Sequence, residues 1–194
     1  MKKHTSSLLF LISLIFIFSC KKTQKPEEIP ADIAMDYMPN PKTQYDTIYT
    51  YASADSISLI KKLSSHLAKA GFRIKERNTT HKDTYYNCEE NRIYLVQGNG
   101  VREYFIRRII PEKGTADTYP DFVVREYSFP TEEQAQQNFK ILDKALNSAG
   151  GYCMDKSPQK VVINGNKIFH LATRAEMFRG YIEKYGDILK DYNK

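Results

Sequence analysis

Four segments rich in tyrosine, valine and isoleucine succeed one another between Tyr85 and Phe129, and an amphipathic helical stripe stands on either side of the group. That order constrains the fold more than any other feature. Consecutive strands with no helix between them pair antiparallel, and a sheet with an apolar face needs helices to cover it. Tyr85 to Cys88, Ile93 to Val96, Val101 to Ile110 and Asp121 to Phe129 read as strands from their β-branched and aromatic content. Gly98-Asn99-Gly100 supplies a turn, and Pro111 to Pro120 a longer loop.

Before this block, Tyr45 to Tyr51 alternates tyrosines as a strand, and Ser53 to Ala70 carries Ile57, Ile60, Leu63 and Leu67 at helical spacing up to Gly71. Phe72 to Arg77 is a short strand. After the block, Thr131 and Gln134 stand in capping-box spacing ahead of a stripe of Ala135, Phe139, Leu142 and Leu146, which ends at Gly150-Gly151. Lys160 to Ile163 and Lys167 to Leu171 flank Asn164-Gly165-Asn166, a hairpin signal. A third helix is expected from Thr173 and Glu176, a second capping box, with Phe178, Tyr181, Ile182, Tyr185, Ile188 and Leu189 on its docking face.

The expected architecture is α+β, a mainly antiparallel sheet with about three helices packed on one face, and a ferredoxin-like arrangement is the leading form. Two internal echoes bear on it. The stripe Ile60, Leu63, Leu67, Ala70, Gly71 lines up with Phe139, Leu142, Leu146, Ala149, Gly150, which suggests a strand-helix-strand unit used twice. Val101-Arg102-Glu103-Tyr104 recurs as Val124-Arg125-Glu126-Tyr127. Shared packing demand on amphipathic elements explains both echoes equally well.

The first 22 residues are not part of this domain. A basic head, Lys2 and Lys3, precedes an apolar run from Leu8 to Phe18, and Ser19-Cys20 closes it. The run fits a secretory signal and is too short for a helix spanning about 30 Å of hydrocarbon. Ile17-Phe18-Ser19-Cys20 resembles the cleavage motif of bacterial lipoprotein precursors, with Phe18 bulkier than the usual residue at its place. The resemblance implies removal of residues 1–19 and lipidation of Cys20, hence attachment to a bacterial membrane. Lys21, in place of an acidic residue, favours the outer membrane. Residues 20–44 hold Pro26, Pro30, Pro39 and Pro41 and form a semi-extended linker to a single domain at 45–194.

Loss of residues 1–19 takes away Lys2 and Lys3 and lowers the net charge from +6 to +4. That mild excess, without a clustered basic stripe, argues against nucleic acid as a partner. Cys88 and Cys153 then remain as a candidate disulfide in an oxidising compartment. Metalloprotease, nucleophile-elbow, P-loop and calcium-loop signatures are all missing from the sequence, and no histidine pair has ligand spacing. No metal, cofactor or catalytic group is therefore assigned. A cysteine-dependent enzyme pairing Cys88 or Cys153 with His170 is an alternative that only the fold could assemble.

The candidate ligand surface is the pair of V-R-E-Y strands. Strand alternation groups Arg102 with Tyr104, and Arg125 with Tyr127, and side by side they would form an Arg-Tyr face for carboxylates, phosphates or sugars. Val124 to Tyr152 and Ile168 to Ile182, with Arg174-Ala175-Glu176 opening the last helix, resemble two halves of a SPOR domain. That resemblance implies binding of peptidoglycan glycan strands on the sheet face. The leading expectation is a non-catalytic envelope lipoprotein that binds an unknown envelope protein or wall polymer, with the SPOR-type glycan binder as its alternative.

Overall fold

In the computed structural model, the residues described are 42–52, 56–77, 82–148 and 157–192. Residues 1–41, which include the expected signal and most of the expected linker, and Cys153 lie outside them. The described elements run β1 (Gln44–Thr50), α1 (Ser56–Lys69), β2 (Phe72–Arg77), β3 (Lys82–Asn87), β4 (Arg92–Gly98), β5 (Val101–Arg108) and β6 (Asp121–Ser128). They continue through α2 (Glu132–Asn147), β7 (Gln159–Asn164), β8 (Lys167–Ala172), a 3-10 turn at Glu176–Phe178 and α3 (Arg179–Lys190).

The fold is α+β, and its strands form two sheets. The larger has the order β2-β5-β6-β8-β7 and is antiparallel throughout; the smaller has the order β1-β4-β3. Its β1 runs parallel to β4, from Gln44 opposite Arg92 to Thr50 opposite Gly98. One face of the larger sheet packs on α1 and α3 through Phe72, Tyr104, Ile106, Phe122, Val124, Phe169 and Leu171. The other face packs on α2 and the smaller sheet through Val101, Tyr127 and Ile168, which meet Ile48, Tyr85, Val96, Leu142 and Leu146. Two cores therefore share one central sheet, and helices cover both of its faces instead of the expected one.

The expected reuse of a strand-helix-strand unit is realised only in part. β6-α2-β7 is a split unit in which β8 returns between its two strands, as in half of a ferredoxin-like fold. β1 and β2, by contrast, lie in different sheets, and α1 and α2 pack in different cores. The helix echo therefore does not correspond to one structural unit repeated.

Local signals account for most boundaries. Thr131 caps α2 by accepting the Gln134 N–H at 3.2 Å. The expected cap at Thr173 is not formed. Its hydroxyl donates to the Asp121 carbonyl at 2.7 Å, and α3 begins only at Arg179, without a side-chain cap. Stacking of Phe122 on Tyr185 at 5.5 Å, with Phe72 edge-on to Tyr181 and Tyr185, seats α3 on the sheet as its apolar face requires.

The seam between the two sheets is built on glycine. The Tyr51 N–H donates to the Ser128 carbonyl at 2.9 Å and the Ser128 N–H to the Gly100 carbonyl at 3.1 Å, which brings three chain segments together at the β4–β5 turn. A Cβ at Gly100 would lie 2.5 Å from both Tyr51 N and Tyr51 O. Backbone, not a flexible side chain, blocks it. Gly100→Ala should therefore cost on the order of 3 kcal/mol in urea unfolding. Gly180→Ala, where a Cβ meets nothing within 4 Å, should be neutral or stabilising by up to about 1 kcal/mol. Equal effects of the two substitutions would refute this account of the seam.

Candidate functional site

Pairing of the two V-R-E-Y strands decides where the sequence-derived site residues go. Within the antiparallel β5–β6 ladder, Val101 faces Tyr127, Arg102 faces Glu126, Glu103 faces Arg125 and Tyr104 faces Val124. Each arginine thus stands opposite a glutamate, and the two motifs are offset by one face. Arg102 and Tyr104 point toward α1 and α3, whereas Arg125 and Tyr127 point toward the smaller sheet. The expected single Arg-Tyr surface is not formed, because side-chain period 2 lets the register separate the pairs.

Arg102 lies 3.8 Å from Glu76, beside the Tyr104 hydroxyl. Its neighbour Glu126 is fully buried, 3.4 Å from Lys167 Nζ, and accepts from the Ser128 hydroxyl. Burial pushes the Glu126 carboxyl above its ordinary range, against the pull of Lys167. Burial and the charge of Glu126 push the Tyr104 hydroxyl up to about 12. This face has little open surface, since Tyr104 belongs to the core under α1 and α3.

On the opposite face a continuous polar chain crosses both sheets. Asp83 and Tyr85 project from β3, Glu103 from β5, Arg125 and Tyr127 from β6, Gln159 from β7 and His170 from β8. His170 Nε2 is hydrogen-bonded with Gln159 Oε1 at 2.8 Å, and Nδ1 with the Tyr85 hydroxyl at 2.8 Å. Tyr127 donates to Asp83 Oδ2 at 2.5 Å, and the Tyr85 and Tyr127 hydroxyls are in direct contact. Arg125 Nε then bridges Asp83 at 3.3 Å and Glu103 at 3.0 Å, and Arg77 closes the outer end on Glu103 at 3.3 Å. The Tyr85 ring meets Tyr127 and His170 edge-on at 6.2 and 5.4 Å.

Solvent is excluded from the inner half, where Tyr85, Tyr127 and His170 are at most 3% exposed. Burial, then the positive charge of Arg125, holds the His170 imidazole down to about 4, with Asp83 opposing. Burial and the Asp83 carboxylate push both tyrosine hydroxyls well above 10. Burial works against the Arg125 charge, but Asp83, the two tyrosines and Glu103 outweigh it. At neutral pH the chain therefore consists of a neutral imidazole, two protonated phenols and an Arg125 cation between two carboxylates. It is suited to clamping β3 onto β6 and β8 rather than to transferring protons.

Cys88 is disulfide-bonded, and its Sγ lies 3.9 Å from the Ser148 hydroxyl at the end of α2. Both nitrogens of His170 are engaged by Tyr85 and Gln159, so neither member of a Cys88–His170 pair has the free atom that a thiolate–imidazole couple requires. Cys20 and Cys153 lie outside the described residues. No group of three or more potential metal ligands occurs among the described residues. None of the described helices is long and apolar enough to cross a membrane.

Asp83, Tyr85, Glu103 and Gln159 escaped the sequence reading. Alternation in Lys82–Asn87 was the available signal, since it sets Asp83, Tyr85 and Asn87 on one side of a strand whose ends are polar. No family model matches the chain, and neither the curated proteins nor the solved structures yield a match.

Linkage fixes the pH dependence of this clamp. An unfolded histidine titrates near 6.5, so as pH falls from about 6.5 to 4 the unfolded chain takes up a proton that folded His170 refuses. Stability contributed by neutral His170 is complete above that window and falls by up to about 3 kcal/mol across it. At the alkaline end, Tyr85 and Tyr127 lose their contribution as pH rises past about 10. Urea unfolding as a function of pH should show the acid limb, and His170→Gln should flatten it. That comparison also separates His170 from Glu126, whose raised carboxyl acts in the opposite sense at acid pH. An acid limb unchanged by His170→Gln would contradict the assignment.

Proposed function

We propose that this chain is a lipid-anchored protein of the bacterial envelope and that its domain is a non-catalytic binding module. The observation that carries this reading is the apolar run ending at Ser19-Cys20. The disulfide at Cys88 supports it, because such bonds persist in exported proteins. Ser148, beside Cys88, lies five positions before Cys153 in the sequence, so the natural partner of Cys88 is Cys153, which leaves Cys20 for lipid. The closed polar chain around His170 supports binding over catalysis, since its best-placed titratable groups are spent on one another.

Metabolic labelling with a lipid precursor tests the anchor. The parent chain should carry label and sediment with membranes, and Cys20→Ala should lose the label. A labelled membrane form of the Cys20→Ala chain, or a Cys20–Cys88 bridge in peptide mapping under non-reducing conditions, would overturn the proposal.

One observation favours a wall glycan as the partner. Tyr45 and Tyr49 are exposed on the outer side of edge strand β1, and exposed Tyr51 follows at its end. Along the extended chain Tyr49 stands about 13 Å from Tyr45, and Tyr51 about 7 Å further on, so the rings offer a row of stacking faces for an extended glycan. The glycan reading therefore moves from the V-R-E-Y strands, whose faces are covered, to the smaller sheet. Purified peptidoglycan should pull down the parent chain and at least fivefold less of a Tyr45→Ala/Tyr49→Ala chain. Equal retention of both chains would remove this reading.

A further inference from the structure

Charge is balanced across most of the larger sheet, but not at its β2 edge. Arg73 and Arg107 are directly opposed in the β2–β5 ladder, both exposed. Like charges in directly opposed positions repel. Neither has an acidic partner among the described residues. Asp121 stands opposite Arg107 in the next ladder, but its carboxylate is held by Arg174 at 2.7 Å. The Arg107 guanidinium rests over the Tyr119 ring at 5.2 Å, which aims it without neutralising it. Arg108, tied to the Tyr181 hydroxyl at 3.2 Å and near Glu112 at 3.9 Å, keeps a buried Nε with no hydrogen-bond partner.

Together Arg73, Arg107, Arg108, Ile109 and Tyr119 line a shallow depression of about 400 Å³. Lys75, exposed two residues beyond Arg73 on the same side of β2, extends the positive surface. Beside it the chain leaves β5 through Ile109 and Ile110, each 53% exposed. Exposed single isoleucines are ordinary, but two adjacent ones bordering unpaired arginines form a mixed surface. Planar guanidinium groups take phosphate oxygens in pairs, and branched aliphatic side chains gain from the boundary between headgroups and acyl chains.

We infer that this edge is a contact surface for an anionic lipid membrane, with a lipid phosphate between Arg73 and Arg107 and with Ile109 and Ile110 entering the headgroup layer. A soluble phosphate compound would satisfy the arginines and leave the isoleucines in water, so the aliphatic pair is what selects a lipid. This surface does not depend on Cys20. A chain lacking the anchor would carry it unchanged, so failure of one reading does not entail failure of the other.

Tryptophan fluorescence tests the inference directly, because the sequence contains no tryptophan. The full chain would be prepared with Ile110→Trp and, separately, with Tyr51→Trp, a similarly exposed position beside Gly100 and Ser128 at the opposite end of β5. Each would be titrated with vesicles of phosphatidylglycerol or of phosphatidylcholine. The leader is common to all samples, so only a position-specific shift counts. Emission of the Ile110→Trp chain should move to the blue with phosphatidylglycerol alone, and that of the Tyr51→Trp chain should not move. Adding Arg73→Ala and Arg107→Ala should raise the lipid concentration at half-effect roughly thirtyfold, from about a factor of five per basic residue lost, and Arg73→Lys with Arg107→Lys should restore most of it. Equal shifts at both positions, or indifference to the arginine substitutions, would overturn the inference. So would an unmoved Ile110→Trp emission combined with stabilisation of the parent chain by millimolar inorganic phosphate, which would assign a soluble ligand instead.

Discussion

Two tyrosine hydroxyls buried between two sheets must find partners, and the rest of this structure is arranged to provide them. A hydroxyl taken from water without a hydrogen bond costs roughly 1–3 kcal/mol. Tyr85 and Tyr127 are both inaccessible to solvent, at 1% and 0% exposure. Their satisfaction recruits His170 from β8 and Asp83 from β3, and Asp83 in turn requires the cation of Arg125. That cation also meets Glu103, and the chain passes from the buried tyrosines through partly exposed Asp83, Arg125 and Glu103 to the more exposed Arg77. The polar path thus specifies how β3 sits over β6 and β8, while the surrounding apolar side chains supply most of the burial.

The register between β5 and β6 makes this path possible. Had the V-R-E-Y motifs paired one residue out, the glutamates and arginines would not oppose each other across the ladder, and every side chain of one strand would change face. The observed pairing sends one arginine–glutamate couple to each side of the sheet. On the side of the smaller sheet, Glu103 and Arg125 join the polar chain. On the other side, Arg102 and Glu126 meet Glu76 and Lys167. Charge that looked like a ligand surface in the sequence is largely used to hold the protein together. Among the described strands of the larger sheet, the charge left unbalanced lies at the β2 edge, around Arg73 and Arg107.

Short-range signals made much of the fold legible. Thr131 and Gln134 marked the start of α2, glycine-bearing turns separated β4 from β5 and β7 from β8, and the spacing from Phe178 to Leu189 gave the docking face of α3. Long-range pairing left no such mark. Parallel pairing of β1 with β4 joins residues 48 positions apart, and nothing near Tyr45 announces it. β3 was seen only at its tyrosine end, because Lys82, Asp83 and Thr84 have the polarity of a loop. His170 read as an isolated histidine on a hairpin strand, and its burial comes from Tyr85, which arrives from the other sheet. Site residues were misplaced for the same reason, since alternation assigns faces within a strand and only register assigns them between strands.

The central claim is that Tyr85 and Tyr127 act as one unit joining the two sheets. A double-mutant cycle of Tyr85→Phe and Tyr127→Phe, read by urea unfolding, measures that coupling with little change in ring packing. The account predicts that the two single substitutions are each destabilising and that the double substitution costs less than their sum by about 1 kcal/mol or more. Additivity within about 0.5 kcal/mol would mean that the hydroxyls act independently, and the clamp described here would not exist.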